Sequence, residues 1–318
     1  MMLRCKRWLP AGWLTVLTYH RVCERDASGP WDSDVVSATP EQFRRQLEFV
    51  GRYFTPITSE QIVLWKEGRL AMRPNPIVLT FDDGYRDCHD VVLPLLLEAG
   101  VVADFFVCPW NVEERRLFWW DKIACCLRKS SRDSIVLNCP RRLELNLSTR
   151  ESIELSLRAI GRIIRHTEEL DVDRLVDELQ EAAAVDLDEQ AEADKLLMNW
   201  DQVRALRRAG MGVGSHSYSH RILPLTRDDT AREEIARSKS ALEEALSERV
   251  LALAYPLGGF DKNTKRMAEQ AGYRLAYSYC SGASRLRSAD PFEIKRIAVD
   301  GHMSLPYFRT MAAIPFLT

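Results

Sequence analysis

Ile77-Val78-Leu79-Thr80-Phe81-Asp82-Asp83-Gly84 opens with a nearly unbroken apolar run. That is the pattern of a strand covered on both faces, as in a parallel sheet. A helix-period segment follows, with Val91, Val92, Leu95 and Leu96 on one face, and it stops at Gly100. Glycine suits the left-handed residue that ends many helices. Residues 101–107 read as the next strand, which completes a parallel βαβ unit. The first strand ends on two adjacent carboxylates. Asp and Gly are turn residues, so an ordinary turn is one reading. The other is functional: the C-terminal edge of a parallel sheet is where α/β folds place active sites. Two like charges this close are also costly unless a cation separates their roles.

The same rhythm extends in both directions. Residues 14–19 read as a strand and 40–54 as a helix carrying Phe43, Leu47 and Val50 on one face. Beyond residue 199, a helix over 200–209 stops at Gly210 and is followed by a strand over 213–216. Thr230 and Glu233 have capping-box spacing and predict a helix start there. Strands are expected over 251–255, 275–279 and 294–299, with a helix over 262–271 between the first two. Repeated βα units imply an α/β fold with a parallel sheet, open or closed into a barrel. The middle breaks the rhythm. Ile153, Leu157, Ile160 and Ile164 follow helical spacing, as do Val172, Leu175, Val176 and Leu179, amid many acids. We expect residues 1–318 to form one domain carrying a helical insertion over 111–195, whose polar faces are solvated.

Composition sets the outer limits. The 318 residues are 46% hydrophobic and 28% charged, ordinary globular values. Disordered, collagen-like and disulfide-stapled classes are excluded. Lys plus Arg is 44 and Asp plus Glu is 46, a balance of −2 that argues against a nucleic-acid partner. Mean hydropathy is −0.24 and no run approaches a transmembrane segment. The basic start at Arg4, Lys6 and Arg7 is followed by Pro10 and Gly12 and by no small-residue cleavage site, so no cleaved signal is expected. The eight cysteines lack CxxC spacing and sit mostly in or beside apolar runs, as buried thiols of a reducing compartment do.

Further candidates lie at other predicted strand ends. Gly214-Ser215-His216-Ser217-Tyr218-Ser219-His220 places two histidines four residues apart, a spacing that on one helical turn chelates a metal. Two exposed polar histidines are the competing reading. With the aspartate pair added, two imidazoles and one carboxylate form an open, catalytic type of metal site. His20 ends the 14–19 strand, where a lone histidine is commonly structural. Tyr255-Pro256-Leu257-Gly258 is a strand-to-loop turn whose backbone N–H groups suit an oxyanion. Lys295 and Arg296 read either as a surface pair or as a partner for a buried carboxylate. Local pattern gives His89, His166 and His302 no chemical role. Trp119-Trp120 would stack on sugar rings if exposed, although adjacent aromatics are more commonly one buried and one half-exposed.

The Thr80-to-Gly84 stretch together with His216-to-His220 resembles the polysaccharide deacetylases of the NodB-homology group, carbohydrate esterase family four. The likeness extends over 17–22, 77–107, 200–223 and 253–260 and covers the insertion poorly. It implies a distorted, incomplete (β/α) barrel and hydrolysis of an N-acetyl group on a sugar. Asp82 matches the general base; Asp83, His216 and His220 match the ligands of a divalent ion, zinc in this reading. The 255–258 loop matches a groove motif that carries an arginine and a tyrosine in the family; here Ala254 and Leu257 stand instead. Arg296 is the candidate to replace that arginine, which orients the base. The family's general-acid histidine lies in a Leu-x-x-His motif near the C-terminus. Here Leu17-x-x-His20 carries it first, as in circularly permuted members, and His20 is expected opposite the metal as the acid. In the implied mechanism Asp82 takes a proton from the attacking water, the metal and the Leu257 N–H stabilise the oxyanion, and His20 protonates the leaving amine. The implied partner is an N-acetylated glycan, polymeric or precursor. The missing signal and the thiols suggest a cytoplasmic site, at the inner membrane face for lipid-linked sugars. A metal hydrolase of another amide or ester on the same scaffold, and a non-catalytic carbohydrate-binding homologue, are the alternatives.

Overall fold

Strand β1 (Trp13–Tyr19) lies beside β2 (Pro76–Phe81) in parallel, with Thr15 opposite Ile77 and Tyr19 opposite Phe81. Both belong to a computed structural model that describes residues 12–24 and 29–314. The basic start and Cys5, on which part of the leader and thiol readings rest, lie outside the described residues. β2 is buried along its whole length, as a strand covered on both faces must be. Helix α1 (Pro40–Tyr53) is held at its start by a Thr39–Gln42 capping box and buries Phe43, Leu47 and Val50.

After β2 the chain turns through α2 (Leu93–Ala99), capped by left-handed Gly100, into β3 (Asp104–Val107). It then leaves the sheet and returns through α7 (Trp200–Arg208) to β6 (Gly212–Ser215), which pairs with β3 in parallel. The excursion contains α3 (Trp119–Lys129), β4 (Ser134–Leu137), β5 (Leu143–Asn146), α4 (Arg150–His166), α5 (Val172–Ala183) and α6 (Glu189–Leu196). The β4–β5 hairpin adds strand to a segment whose periodicity shows helix alone. The excursion's apolar side chains form a core of their own, with Ile160, Ile164, Leu175 and Leu179 packed against Ile135, Leu137 and Leu145. The chain then continues through α8 (Asp228–Leu246), β7 (Ala252–Ala254), α9 (Lys262–Gln270), β8 (Leu275–Tyr277) and β9 (Ile297–Ala298). Helix α8 starts two residues before the Thr230 box, with Arg227 as its cap. The expected strand over 294–299 shrinks to the two residues of β9.

The sheet runs β8-β7-β6-β3-β2-β1, parallel at every step of this path, with β9 on the far side of β1. The segment leading into β9 touches both edges. Ile294 bridges Tyr277 of β8, while Ile297 and Ala298 pair with Leu17 and Thr18 of β1. That seam curls the sheet into the expected incomplete α/β barrel. Tyr19, Phe81 and Phe105 stack across three neighbouring strands at centroid separations of 5.0 and 5.1 Å, and Phe43 meets the first two edge-on. Such pairs add about 0.5–1.5 kcal/mol each beyond their buried area. Among the described residues no helix is long and apolar enough to cross a membrane.

At the N-terminal ends of the strands, Asp104 is buried and accepts hydrogen bonds from the Ser59 N–H (2.7 Å) and hydroxyl (2.5 Å). Burial outweighs both bonds and pushes its carboxyl up to about 6. A carboxyl unfolded at about 3.9 and folded at about 6 binds a proton more tightly in the folded state. Its contribution is therefore present below about pH 4 and lost as pH rises toward 6. Asp104→Asn removes this titration. We expect the variant's stability relative to wild type to improve by roughly 2–3 kcal/mol between pH 4 and pH 7.5. Urea unfolding at both pH values measures it, and a pH-independent difference would refute it.

Candidate metal and catalytic site

His20, Asp82, His216 and Tyr255 each directly follow the last residue of a parallel strand, so the sheet gathers them at one edge. The Asp82 N–H donates to the Tyr19 carbonyl (2.9 Å) and the His216 N–H to the Val107 carbonyl (3.0 Å), so the ladder continues to the reactive side chains. Beyond it the chain turns sharply. Asp83 (φ 75°), Ser217 (61°), His220 (59°) and Leu257 (50°) all adopt left-handed backbone conformations without being glycine. Such residues cost on the order of 1–3 kcal/mol each and cluster where surrounding structure holds functional side chains.

Asp82 and Asp83 are adjacent and almost fully buried, yet their surroundings differ. Arg296 donates from Nη1 to Asp82 Oδ1 at 2.9 Å, with side chains 1% and 2% exposed. Burial alone would raise the Asp82 carboxyl, but the Arg296 guanidinium, followed by His216 and His20, holds it at about 2. Asp83 has no such partner. Burial, then the charges of Asp82 and Asp121, push its carboxyl well above the usual carboxylate range. Both Asp83 oxygens are buried without a hydrogen bond among the described residues.

The imidazoles complete a trio. The Ala254 carbonyl lies 2.8 Å from His216 Nδ1 and can only accept. Nδ1 therefore carries the proton, and Nε2 presents its lone pair 3.5 Å from Asp83 Oδ1. His220 Nε2 is also 3.5 Å from that oxygen. Burial lowers the pKa of both rings, His220 well below the ordinary value with His216 as the next cause, so both are neutral. One ligand atom from each of the three residues falls within 4.8 Å of the others. Two ligands about 2.1 Å from a zinc ion at a tetrahedral angle stand about 3.4 Å apart. An orphaned carboxylate and two neutral nitrogens at these spacings fit a divalent cation.

The remaining candidates divide. His20 directly follows β1, and the charge of Asp82 pulls against the burial that lowers its pKa to about 4. Arg296 is a fully buried group and not half of a surface pair. Tyr255 offers a substrate nothing: it is buried, its hydroxyl donates to the Phe292 carbonyl, and its N–H donates to the Tyr277 carbonyl. Pro256 has no N–H, and the Gly258 N–H donates to the Tyr255 carbonyl (2.7 Å). Leu257, 40% exposed, is thus the one amide of that loop left for a substrate among the described residues. Gly258 has a separate reason to be glycine: its φ is 66°, and an added Cβ would run into Tyr279.

Two neighbours of the site escape the sequence reading. Tyr85 directly follows the aspartate turn, and Asp121 follows Trp119-Trp120 at the start of α3; both are buried. A single acid on an otherwise apolar helix face was the available signal. Trp120 is buried, whereas Trp119 is half-buried.

Removing one partner of a buried pair strands the other charge, at a cost of about 3–5 kcal/mol. Arg296→Met should lose that much stability at pH 7. Arg296→Met with Asp82→Asn should recover most of it. Chemical denaturation of both proteins checks this, and equal losses would show that Arg296 packs and does not neutralise.

The polysaccharide deacetylase family model matches residues 70–143 and 160–276, well over half of the chain. Bacillus subtilis YxkH is 24% identical over 104 residues, which span 33% of this chain and 37% of that curated relative. Two solved structures share the fold. The Streptococcus pyogenes deacetylase PplD, solved with acetate, has a TM-score of 0.61 at 16% identity, covering 94% of this chain and 97% of that one. IcaB from Ammonifex degensii has a TM-score of 0.59 at 18% identity, covering 95% and 96%. The motifs and the fold they anticipate thus agree with the family match: this chain belongs to the polysaccharide deacetylases, hydrolases of carbon–nitrogen bonds.

Proposed function

We propose that the protein is a metal-dependent deacetylase that removes N-acetyl groups from an amino-sugar glycan or its precursor, with Asp82 as base. The observation that carries the reading is the division of the aspartate pair: Asp82 is held ionised by Arg296, while Asp83 is left bare beside two neutral imidazoles. A divalent ion held by Asp83, His216 and His220, zinc in our reading, would polarise the acetamide carbonyl and make water more acidic.

The chain's own groups supply the remaining steps. Arg296 occupies Asp82 Oδ1, which leaves Oδ2, 3.8 Å from His216 Nε2, to take a proton from the attacking water. The water oxygen bonds to the acetamide carbon, and the Leu257 N–H donates to the carbonyl oxygen as charge develops there. The C–N bond then breaks and the amine leaves with a proton from His20. Burial keeps His20 neutral at pH 7, so it must first receive the proton that Asp82 takes from the reacting water. It then hands that proton to the leaving amine, and both Asp82 and His20 return to their starting states. The seven described cysteines are all free, which supports a reducing, cytoplasmic setting, with lipid-linked sugars at the inner membrane face as the matching substrates.

Acetate release from N-acetylglucosamine oligomers, with and without a chelator, tests the reading. No release by metal-loaded protein from any acetylated glycan would overturn it. Asp83→Ala should lose the metal and all turnover. Asp82→Asn should keep the metal while kcat falls by about 10²–10⁴. His20→Asn should behave like Asp82→Asn, with unchanged metal content by elemental analysis. A near-normal rate in either variant would remove that residue from its role.

A further inference from the structure

His216 and His220 are oriented by different means. His216 is fixed by a hydrogen bond from Nδ1 to the Ala254 carbonyl. His220 Nδ1 is buried with no hydrogen-bond partner among the described residues. Metal-ligating histidines almost always use that second nitrogen to lock the ring. Here the ring is clamped by aromatic packing: Trp120 lies 4.7 Å away at 70°, Phe118 5.6 Å away at 76°, and His216 4.8 Å away at 74°. Trp120 and Phe118 stack face to face at 4.6 Å, so they act as one block.

That block is tied back to the aspartate turn. The Trp120 Nε1–H donates to the Tyr85 hydroxyl (2.7 Å), which donates to Asp121 Oδ2 (2.7 Å). Asp121 Oδ1 accepts from the Asp32 N–H (3.0 Å). Tyr85 is two residues after Asp83, and the Arg21 guanidinium lies 5.1 Å over its ring. The end of the excursion grips the same turn, where the Arg86 N–H donates to the Leu196 carbonyl (2.7 Å) and the Met198 N–H to the Gly84 carbonyl (3.0 Å). One hydrogen-bonded chain therefore runs from the Asp83 turn through Tyr85 to Trp120 and ends against His220.

We propose that Trp120 and Tyr85 are positioning residues of the metal centre, coupling the His220 ring to the Asp83 turn so that the 111–195 segment is a working part of the site. The inference rests on the metal-centre reading above. It gives the excursion a task that solvated helices would not need: its aromatic block holds the ring of His220, whose Nδ1 makes no hydrogen bond to another residue among the described residues.

The test measures metal affinity apart from turnover. Zinc affinity is read by competition with a chromophoric chelator, and ligand geometry by the visible spectrum of the cobalt(II)-substituted protein. Thermal stability of the metal-free protein is recorded alongside. Tyr85→Phe and Trp120→Phe should weaken zinc binding by roughly 10- to 100-fold and alter the cobalt spectrum. Tyr277→Phe is the control. It deletes an equally buried hydroxyl, bonded to Ser59 Oγ at 2.7 Å, next to Asp104 and away from the trio. It should cost comparable metal-free stability and leave zinc affinity within about twofold of wild type. Wild-type affinity and spectrum in both Tyr85→Phe and Trp120→Phe, or equal weakening by Tyr277→Phe, would overturn this inference alone. A wild-type protein that binds neither ion would overturn the metal-centre reading and this inference with it.

Discussion

The buried pair of Asp82 and Arg296 is the constraint around which the site is organised. Two neighbouring carboxylates in a dry barrel end cannot both stay ionised without compensation, because desolvation and mutual repulsion act together. One guanidinium at 2.9 Å resolves this for Asp82 and leaves the charge of Asp83 uncompensated. The two acids are thereby assigned different tasks by their surroundings. A buried ion pair is weak evidence of stability, because the desolvation cost offsets the Coulombic gain. Its effect here is a division: with Arg296 on Asp82 Oδ1, Asp83 is the one of the two acids left without a hydrogen-bond partner among the described residues, beside the imidazoles.

The architecture follows from delivering that arginine. Arg296 lies in the segment that bridges Tyr277 at one sheet edge and Leu17 and Thr18 at the other. Its Nε also donates to the Ser278 carbonyl (3.0 Å), which fixes the guanidinium from the β8 side. Closing the barrel and pairing Asp82 are thus the same structural event. A flatter sheet would leave the seam apart and Asp82 unpaired.

Sequence pattern carried much of this. The apolar run before Asp82 and the two histidines after β6 placed four of the site residues on strand ends, because the period and the turn chemistry there are local. Arg296 was legible only as a possibility. Its partner is 214 residues away, and nothing in Lys295-Arg296-Ile297 says which cation turns inward. Tyr255 misled for the opposite reason: its place in a motif says nothing about where its N–H is spent, which the Tyr277 carbonyl decides. The β4–β5 hairpin was hidden because four-residue strands give too few alternations to outweigh the helical periods on either side. The contact of Trp120 with His220 was illegible for a similar reason, since it depends on how the excursion folds back and not on its composition.

The family match stops short of both His20 and Arg296, which come from opposite ends of the chain. In the folded protein their strands adjoin: β1, which leads to His20, pairs with β2, which delivers Asp82, and with β9, which follows Arg296. In a curled parallel sheet the first and last strands meet, so what matters to the site is the order of strands around the barrel, not their order along the chain. The strand that leads to His20 can therefore open the sequence without moving that histidine relative to Asp82. The arginine, likewise, need not stand at the end of β7, which is Ala254 here, and can reach the same carboxylate from the seam. The chemistry constrains the positions of charges in space, and the fold allows more than one stretch of sequence to supply them.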